Sequence, residues 1–113
     1  MILVIGGQAS GKRTYVESLG YAPARIADGV LDDKPVVVNL QEALRDDPRT
    51  PQELASALAE KEVVACCEVG SGIVPLDPAE RAWRERVGRT CNLLAAQATS
   101  VVRMVCGIPV TLK

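Results

Sequence analysis

The first fifteen residues constrain the fold of this chain more than any other stretch. Residues 2–5 are apolar and rich in β-branched side chains, which is typical of a strand buried on both faces. The pattern G-x-x-x-x-G-K follows at once, from Gly6 to Lys12. It predicts a phosphate-binding loop between a strand and a helix, because the glycines let successive backbone N–H groups face one anion. The alternative is a glycine-rich turn with a surface lysine, but the strand, loop and helix signals arrive in the order that a phosphate loop requires.

The candidate nucleotide-binding residues are those of the loop and the helical turn after it: Gly6, Gly7, Gln8, Ala9, Ser10, Gly11, Lys12, Arg13 and Thr14. Lys12 is expected to reach the β- and γ-phosphates of ATP or GTP, at the positive end of a helix dipole. Arg13 stands where the pattern has Ser or Thr, whose hydroxyl ligates Mg²⁺. Thr14 is rotated by roughly 100° around the helix and is a poor substitute. Phosphate binding is therefore predicted, while dependence on Mg²⁺ stays open.

Composition favours a single domain over residues 1–113. Hydrophobic residues make up 48% of the chain and charged residues 24%, which is ordinary for a soluble globular protein. The net charge of −1 gives no electrostatic reason to expect nucleic acid or an anionic membrane as a partner. No apolar run approaches the ~20 residues of a membrane span, and the start lacks the basic region of a signal peptide. We therefore expect a cytoplasmic protein.

The chain has four cysteines outside C-x-x-C spacing and no histidine: Cys66, Cys67, Cys91 and Cys106. We therefore expect no zinc site and assign none of these cysteines to a metal, and we expect the thiols to act as small buried hydrophobic residues. The missing histidine also excludes, on this chain, every mechanism that needs an imidazole base, nucleophile or ligand.

Strands and helices are predicted to alternate. Buried strands are expected at residues 35–40, 62–67 and 101–106. Helices are expected at residues 12–19, from a cap at Thr50 to residue 60 or 61, and from a cap at Asp77 to about residue 98. Residues 21–34 read mostly as loop, and Pro109 makes residues 107–113 an edge strand or a tail. The alternation predicts an α/β fold, a three-layer α/β/α sandwich with a mostly parallel sheet.

Two polar residues end predicted strands at the edge where α/β sheets bind ligands. Asn39 ends the second strand, where P-loop nucleotide hydrolases and kinases often have an Asp that helps to hold Mg²⁺. Glu68 opens the glycine-rich segment 68–75 after the third strand, and it is the candidate metal ligand or base acting on a substrate hydroxyl. The alternative for Glu68 is a solvated loop carboxylate, and spacing alone does not decide between the two.

Four segments together resemble a known family. They are GGQASGK near the start, EVGSGIVP at residues 68–75, the set Arg81, Arg84, Gly88 and Asn92, and CGIPVTLK at the end. They look like the bifunctional adenosylcobinamide kinase/adenosylcobinamide-phosphate guanylyltransferase family of cobalamin biosynthesis, over residues 1–19 and from about residue 36 onward. The resemblance implies a fold like that of P-loop nucleoside triphosphate hydrolases, a homo-oligomer (a trimer in the type example), and adenosylcobinamide or another corrinoid as a partner. It also implies phosphorylation of the aminopropanol hydroxyl, followed by GMP transfer through an enzyme histidine.

The chain departs from this family in residues for both reactions, the phosphorylation and the GMP transfer. The segment that would bear the guanylylated histidine is much shorter, and the chain has no histidine, so that intermediate cannot form on it. Arg13, Asn39 and Leu93 also differ from the family pattern. Three interpretations remain: a short divergent kinase with Lys12 and Glu68 as catalytic residues, a non-catalytic nucleotide- or corrinoid-binding regulator or partner, and an oligomerisation scaffold with a vestigial loop.

Overall fold

A computed structural model of the chain describes residues 1–69 and 76–113. Its helices and strands, in chain order, are β1 (Ile2–Gly6), α1 (Lys12–Ser18), β2 (Ile26–Asp28), β3 (Val36–Val38), α2 (Leu40–Ala43), α3 (Pro51–Leu58), β4 (Val63–Cys67), α4 (Pro78–Gln97), β5 (Ser100–Val105) and β6 (Ile108–Thr111). A short 3₁₀ turn, Pro23–Arg25, precedes β2.

The strands form one sheet in the order β2-β3-β4-β1-β5-β6. Strands β1 to β5 run parallel to one another, and β6 runs antiparallel to β5. Strand β1 lies between β4 and β5, so that Gly6 is paired with Cys67 on one side and Met104 on the other. The predicted α/β fold with a mostly parallel sheet is confirmed. The loop after β1 therefore leaves the sheet near its middle, at the edge where the parallel strands end, hereafter the carboxyl edge.

Two apolar clusters cover the two faces of the sheet. Helix α1 contributes Val16 to one cluster, together with Val4 and other strand residues. Helices α2, α3 and α4 contribute leucines to the other cluster, where they pack with Leu3. Consecutive residues of a strand point to opposite faces, so Leu3 and Val4 reach different clusters. The helices thus form a layer on each side of the sheet.

Capping residues begin the two longer helices where the sequence predicts them. The Thr50 hydroxyl accepts from the Glu53 N–H at 3.2 Å, and the Glu53 carboxylate accepts from the Thr50 N–H at 3.3 Å. This capping box is confirmed, although α3 ends at Leu58 rather than at residue 60 or 61. The Asp77 carboxylate accepts from the Ala79 N–H at 2.9 Å, and α4 then runs to Gln97, close to the predicted end.

One sequence prediction about the middle of the chain is incomplete, and another needs correction. Residues 21–34 are mostly loop as predicted, but they also contain the 3₁₀ turn and strand β2, which the sequence did not predict. This strand has three residues between Pro23 and Gly29, too few to show a periodic pattern. The predicted strand at residues 35–40 ends early, at Val38, because Asn39 takes a left-handed conformation with φ of 53° and α2 begins after it.

Further outcomes concern the end of the chain and the thiols. The predicted edge strand at residues 107–113 is confirmed as β6. Cys66 is buried as expected, but Cys106 is exposed in the turn between β5 and β6, so the expectation of buried thiols is wrong there. None of the helices in the two described ranges combines the length and hydrophobicity needed to cross a bilayer. The predicted glycine-rich segment extends over residues 70–75, which lie outside the described residues.

Candidate functional site

The segment from Gly6 to Lys12, hereafter the lysine loop, has a tightly curled backbone. Ala9 has a φ of 56° and Gly11 a φ of 96°, both in the left-handed region. Gly6 has no room for a side chain, because a Cβ there would lie 2.5 Å from Ser10 Oγ and 2.8 Å from the Met104 carbonyl oxygen. The glycine spacing of the motif therefore corresponds to physical requirements at Gly6 and Gly11.

Lys12 folds back into the lysine loop. Its Nζ donates to the Gly7 carbonyl at 2.6 Å and to the Gly6 carbonyl at 3.3 Å, and the residue is only 9% exposed. Burying an ammonium group is costly unless its protons are accepted by polar partners. The two carbonyls supply such partners and hold the positive charge inside the curl of the loop.

Neighbouring segments hold the lysine loop from both sides. The Gly6 carbonyl accepts from the Glu68 N–H at 2.9 Å, at the end of β4. The Ser10 carbonyl accepts from the Gly107 N–H at 2.9 Å, in the turn between β5 and β6. A Cβ on Gly11 would lie 3.2 Å from the Gly107 Cα, so the two segments are in close contact. The loop conformation is thus determined by tertiary contacts as well as by its glycines.

Two cavities adjoin at the lysine loop. The first, about 350 Å³, is lined by residues 9–14 together with Val38, Asn39 and Ala65. The second, about 440 Å³, includes Gln8, Gln41 and Trp83 in its wall. Ala9, Lys12 and Asn39 line both cavities. The structure therefore brings the candidate residues from Ala9 to Thr14 to the first cavity and Gln8 to the second.

Arg13 has a partner that sequence analysis missed. Its Nη1 donates to Asp28 Oδ2 at 3.0 Å, and its Nε donates to Glu17 Oε1 at 3.0 Å. Asn39 Nδ2 donates to the other Asp28 oxygen at 2.6 Å. The two residues that depart from the metal-binding pattern, Arg13 and Asn39, therefore meet at one carboxylate. The only sequence signal for Asp28 was its place just before Gly29, because the three-residue strand that positions it has no recognisable pattern.

The residues around the first cavity do not fit the Mg²⁺ ion that the motif implies. A guanidinium stands at the position of the hydroxyl ligand, and Asn39 carries no charge. Both oxygens of Asp28 accept hydrogen bonds, one of them from the positively charged Arg13. Across residues 1–69 and 76–113, no group of three or more His, Cys, Asp or Glu residues is arranged to hold a metal ion.

Glu68 forms a two-pronged ion pair. Its Oε1 lies 3.1 Å from Arg103 Nε, and its Oε2 accepts from Arg103 Nη2 at 3.3 Å. The backbone of Glu68 contacts the lysine loop, while the carboxylate lies against Arg103 on β5. A carboxylate that accepts both bonds of a guanidinium is held in a fixed orientation. Sequence analysis found Glu68 but missed Arg103.

The second cavity has an aromatic wall. Trp83 Nε1 donates to the Gln41 carbonyl at 2.7 Å, and the Arg45 guanidinium lies 3.5 Å from the centroid of the indole ring. Arg45 also donates to Glu80 at 2.7 Å, and this hydrogen bond raises the pKa of the guanidinium above its ordinary value. The helical spacing of Trp83, Val87 and Cys91 in the sequence predicts that the indole belongs to the core. The ring does pack against the core, but it also faces the cavity.

Gln41 joins the two cavities through hydrogen bonds. Its side-chain oxygen accepts from the Cys67 N–H at 3.0 Å, and its Nε2 donates to Asn39 Oδ1 at 3.3 Å. With Asn39 bonded to Asp28, and Asp28 to Arg13, one continuous network runs from α1 to β4. The polar groups around the lysine loop are therefore mutually oriented before any ligand arrives.

Comparison with known proteins gives one family. A comparison with curated proteins finds no match. The family model for cobinamide kinase / cobinamide phosphate guanyltransferase matches residues 29–112. The matched range includes Asn39, Glu68 and Trp83, and it begins after the lysine loop. The chain therefore belongs to the cobinamide kinase / cobinamide phosphate guanyltransferase family.

Proposed function

We propose that this chain binds a nucleoside triphosphate, ATP or GTP, at the lysine loop and acts in cobalamin biosynthesis. The observation that carries the proposal is the ammonium group of Lys12, which is buried in the curl of the loop beside a cavity of about 350 Å³. A loop of this kind on a central strand of a parallel sheet is a common design for phosphate recognition. In this proposal, residues 1–113 form one P-loop-like nucleotide-binding domain of a cytoplasmic protein that forms homo-oligomers.

Phosphate would bind by exchange of partners at Lys12. The ammonium group now donates to the Gly6 and Gly7 carbonyls, and it can donate to phosphate oxygens with a small movement of its flexible stem. Bonds from an ammonium group to phosphate are charge-assisted and stronger than bonds to neutral carbonyls. The binding residues of the proposal are the loop and the turn after it, from Gly6 to Thr14.

The second cavity is the proposed place for the acceptor. It adjoins the first at Lys12 and Asn39, and its wall contains the Trp83 indole. Membership of the family implies a corrinoid as the acceptor. Its hydroxyl oxygen would form a bond to the γ-phosphorus, the bond to the bridging oxygen would break, and the nucleoside diphosphate would leave. Glu68 would accept the hydroxyl proton after release from Arg103, with Lys12 neutralising the transferred phosphoryl group.

Guanylyl transfer through an enzyme histidine is not part of this proposal. The chain contains no histidine, so it offers no imidazole to which GMP could be attached. Nucleotide binding and the kinase reaction are independent of that residue.

A second candidate function is that of a non-catalytic nucleotide- or corrinoid-binding partner. Two ion pairs favour it, because one neutralises the candidate base Glu68 and the other holds Arg13 at the position where the motif has a metal ligand. Arg13 pairs with Asp28 at 3.0 Å, and Arg103 pairs with Glu68 at 3.1 Å. In this case the lysine loop binds nucleotide but no phosphoryl group is transferred.

Titration calorimetry with ATP and GTP tests the binding. We expect Lys12→Ala to weaken binding by roughly 100-fold, because charge-assisted bonds to phosphate are lost. Lys61→Ala is the matched control, since Lys61 Nζ also donates to two backbone carbonyls, those of Asp32 at 2.6 Å and Lys34 at 2.5 Å. Equal binding by the wild type and Lys12→Ala would contradict the proposed site.

A phosphoryl-transfer assay then separates the remaining interpretations. Transfer from ATP or GTP to adenosylcobinamide, abolished in Glu68→Gln, would establish the kinase and its base. Tight nucleotide binding without transfer would establish the non-catalytic partner. Absence of binding to both nucleotides at millimolar concentration would leave the fold as an oligomerisation scaffold.

A further inference from the structure

Residue 13 is placed where a P-loop protein holds its metal ion. In the motif, the residue after the lysine supplies a hydroxyl to Mg²⁺, and the ion in turn neutralises the phosphates. Here the residue is Arg13, which lines the first cavity beside the lysine loop. The positive charge of Arg13 therefore stands at the position where the motif would bind a Mg²⁺ ion from solution.

The carboxylate beside Arg13 is unsuited to a second cation. Asp28 accepts from Arg13 at 3.0 Å through one oxygen and from Asn39 at 2.6 Å through the other. A divalent cation at Asp28 would have to share the carboxylate oxygens with these two donors, and it would be repelled by the guanidinium. The first cavity is arranged for an anion that arrives without a metal.

Arg13 is nonetheless free to change partners. The side chains of Arg13 and Asp28 are 42% and 50% exposed, and the pair of Arg13 with Glu17 is exposed to a similar degree. Exposed ion pairs contribute little to stability, so their loss on ligand binding opposes binding only weakly. A guanidinium presents several donors in one plane and matches the oxygens of a phosphate group better than an ammonium group does.

We propose that Arg13 takes the place of the divalent metal, so that the lysine loop binds the metal-free form of a nucleoside triphosphate. The inference rests on the proposed function, because it concerns the same site. On arrival of the nucleotide, Arg13 leaves Asp28 and donates to phosphate oxygens next to those that Lys12 contacts. Asn39 keeps Asp28 in place. The Asp28 carboxylate can therefore accept from Arg13 again when the nucleotide leaves.

Calorimetry with ATP and with GTP, in buffer with MgCl₂ and in buffer with EDTA, tests the inference on the full chain. We expect binding in EDTA to be equal to or tighter than binding in MgCl₂, because metal chelated to the phosphates competes with Arg13. Binding in EDTA that is weaker by more than about threefold overturns the inference. If the wild type binds neither nucleotide in either buffer, the proposed function fails as well, whereas binding that needs MgCl₂ removes this inference alone.

Variants separate the role of Arg13 from a general effect of charge. We expect Arg13→Ser to weaken binding in EDTA by about tenfold or more, because charge-assisted bonds are lost. Arg89→Ser is the matched control, since Arg89 is also a helical arginine paired four residues away, with Glu85 at 2.7 Å. Equal weakening by the two substitutions in EDTA would overturn the inference.

Two more variants sharpen the test, and the first of them keeps it decisive if Arg13→Ser unfolds. Asp28→Asn retains Arg13 and removes its partner, so we expect nucleotide binding in EDTA that is at least as tight as in the wild type. The double variant Arg13→Ser/Asn39→Asp restores both ligand types of the motif, and we expect its binding to require MgCl₂. Weaker binding by Asp28→Asn in EDTA would show that Arg13 does not transfer to the phosphates.

Discussion

The two edges of the parallel sheet differ in backbone conformation more than in cavity size. At the carboxyl edge, Ala9, Asn39 and Cys106 follow β1, β3 and β5, and they are the non-glycine residues with positive φ among those that the structure describes. The opposite edge, where the strands begin, is hereafter the amino edge. It has a larger cavity of about 600 Å³ lined in part by Asp32, Lys34 and Lys61. The carboxyl edge thus combines two smaller cavities with a strained backbone.

In our proposal, backbone strain is a more informative sign of the binding site than cavity volume is. A left-handed non-glycine residue is unfavourable and persists only where its surroundings determine the conformation. At the amino edge, Lys61 joins two loop carbonyls and acts as a structural tie. At the carboxyl edge, Lys12 makes similar bonds inside a curled loop, and we propose that an anion replaces the carbonyls there. In this proposal the same chemical group ties two loop carbonyls at one edge and binds phosphate at the other.

Gly6→Ala gives the sharpest test of the carboxyl edge. The new Cβ would meet Ser10 Oγ and the Met104 carbonyl at under 3 Å, so we expect the free energy of unfolding to fall by about 2–3 kcal/mol. Gly88→Ala is the control, because a Cβ on this residue of α4 would meet no atom of the other described segments within 4 Å. It should raise stability by about 1 kcal/mol through helix propensity. Urea denaturation measures both, and a Gly6→Ala protein as stable as the wild type would contradict the described loop.

Ala9→Gly tests whether the left-handed backbone is truly strained. Glycine adopts this conformation without a steric penalty, so we expect a rise of roughly 0.5–1 kcal/mol in the free energy of unfolding. The matched substitution is Ala57→Gly in α3, which should lower stability by about 1 kcal/mol because glycine is a poor helix former. Thermal denaturation of the two variants should therefore shift in opposite directions. Shifts of the two melting temperatures in the same direction would contradict the claim that the backbone at the carboxyl edge is strained.

Acid denaturation tests the ion pair of Asp47 and Arg49, the latter a residue of the amino-edge cavity wall. The hydrogen bond from Arg49, at 2.7 Å, lowers the pKa of Asp47 to about 2. The folded state therefore favours the charged carboxylate, and this stabilisation is complete above about pH 4 and lost as the pH falls to about 2. We expect Asp47→Asn to cost about 1 kcal/mol at pH 7 and little at pH 2, after allowance for solvent screening.

Asp46→Asn serves as the control in the same urea titrations, because it removes an equal charge from the neighbouring exposed position. If Asp47→Asn and Asp46→Asn give the same dependence of stability on pH, the ion pair has no special role in the loop before α3.

Much of the fold was predictable because it depends on local patterns. Capping at Thr50 and Asp77, the apolar strands and the helical stripe of α4 each require only a short window of sequence. Strand β2 escaped prediction because three residues between Pro23 and Gly29 carry no period. Its recognition depends on pairing with β3, which is a tertiary event.

The candidate site was predictable in its loop and unpredictable in its partners. The motif identified Lys12 as the central cation, and the departure at Arg13 was visible in the sequence. The meeting of Arg13 and Asn39 at Asp28 was not, because it joins three segments through side-chain geometry. Likewise, the bond of Arg103 to Glu68 depends on the placement of β5 relative to β4.

The contact between Ser10 and Gly107 has a consequence for synthesis of the chain. The lysine loop leaves the ribosome before residue 107, yet the loop is held by the Gly107 N–H, and β1 needs both β4 and β5 as neighbours. At translation rates of about 5–20 residues per second, the nascent chain waits on the order of ten seconds for these partners. Any anion that binds the loop can therefore stabilise this loop conformation only after residue 107 has emerged.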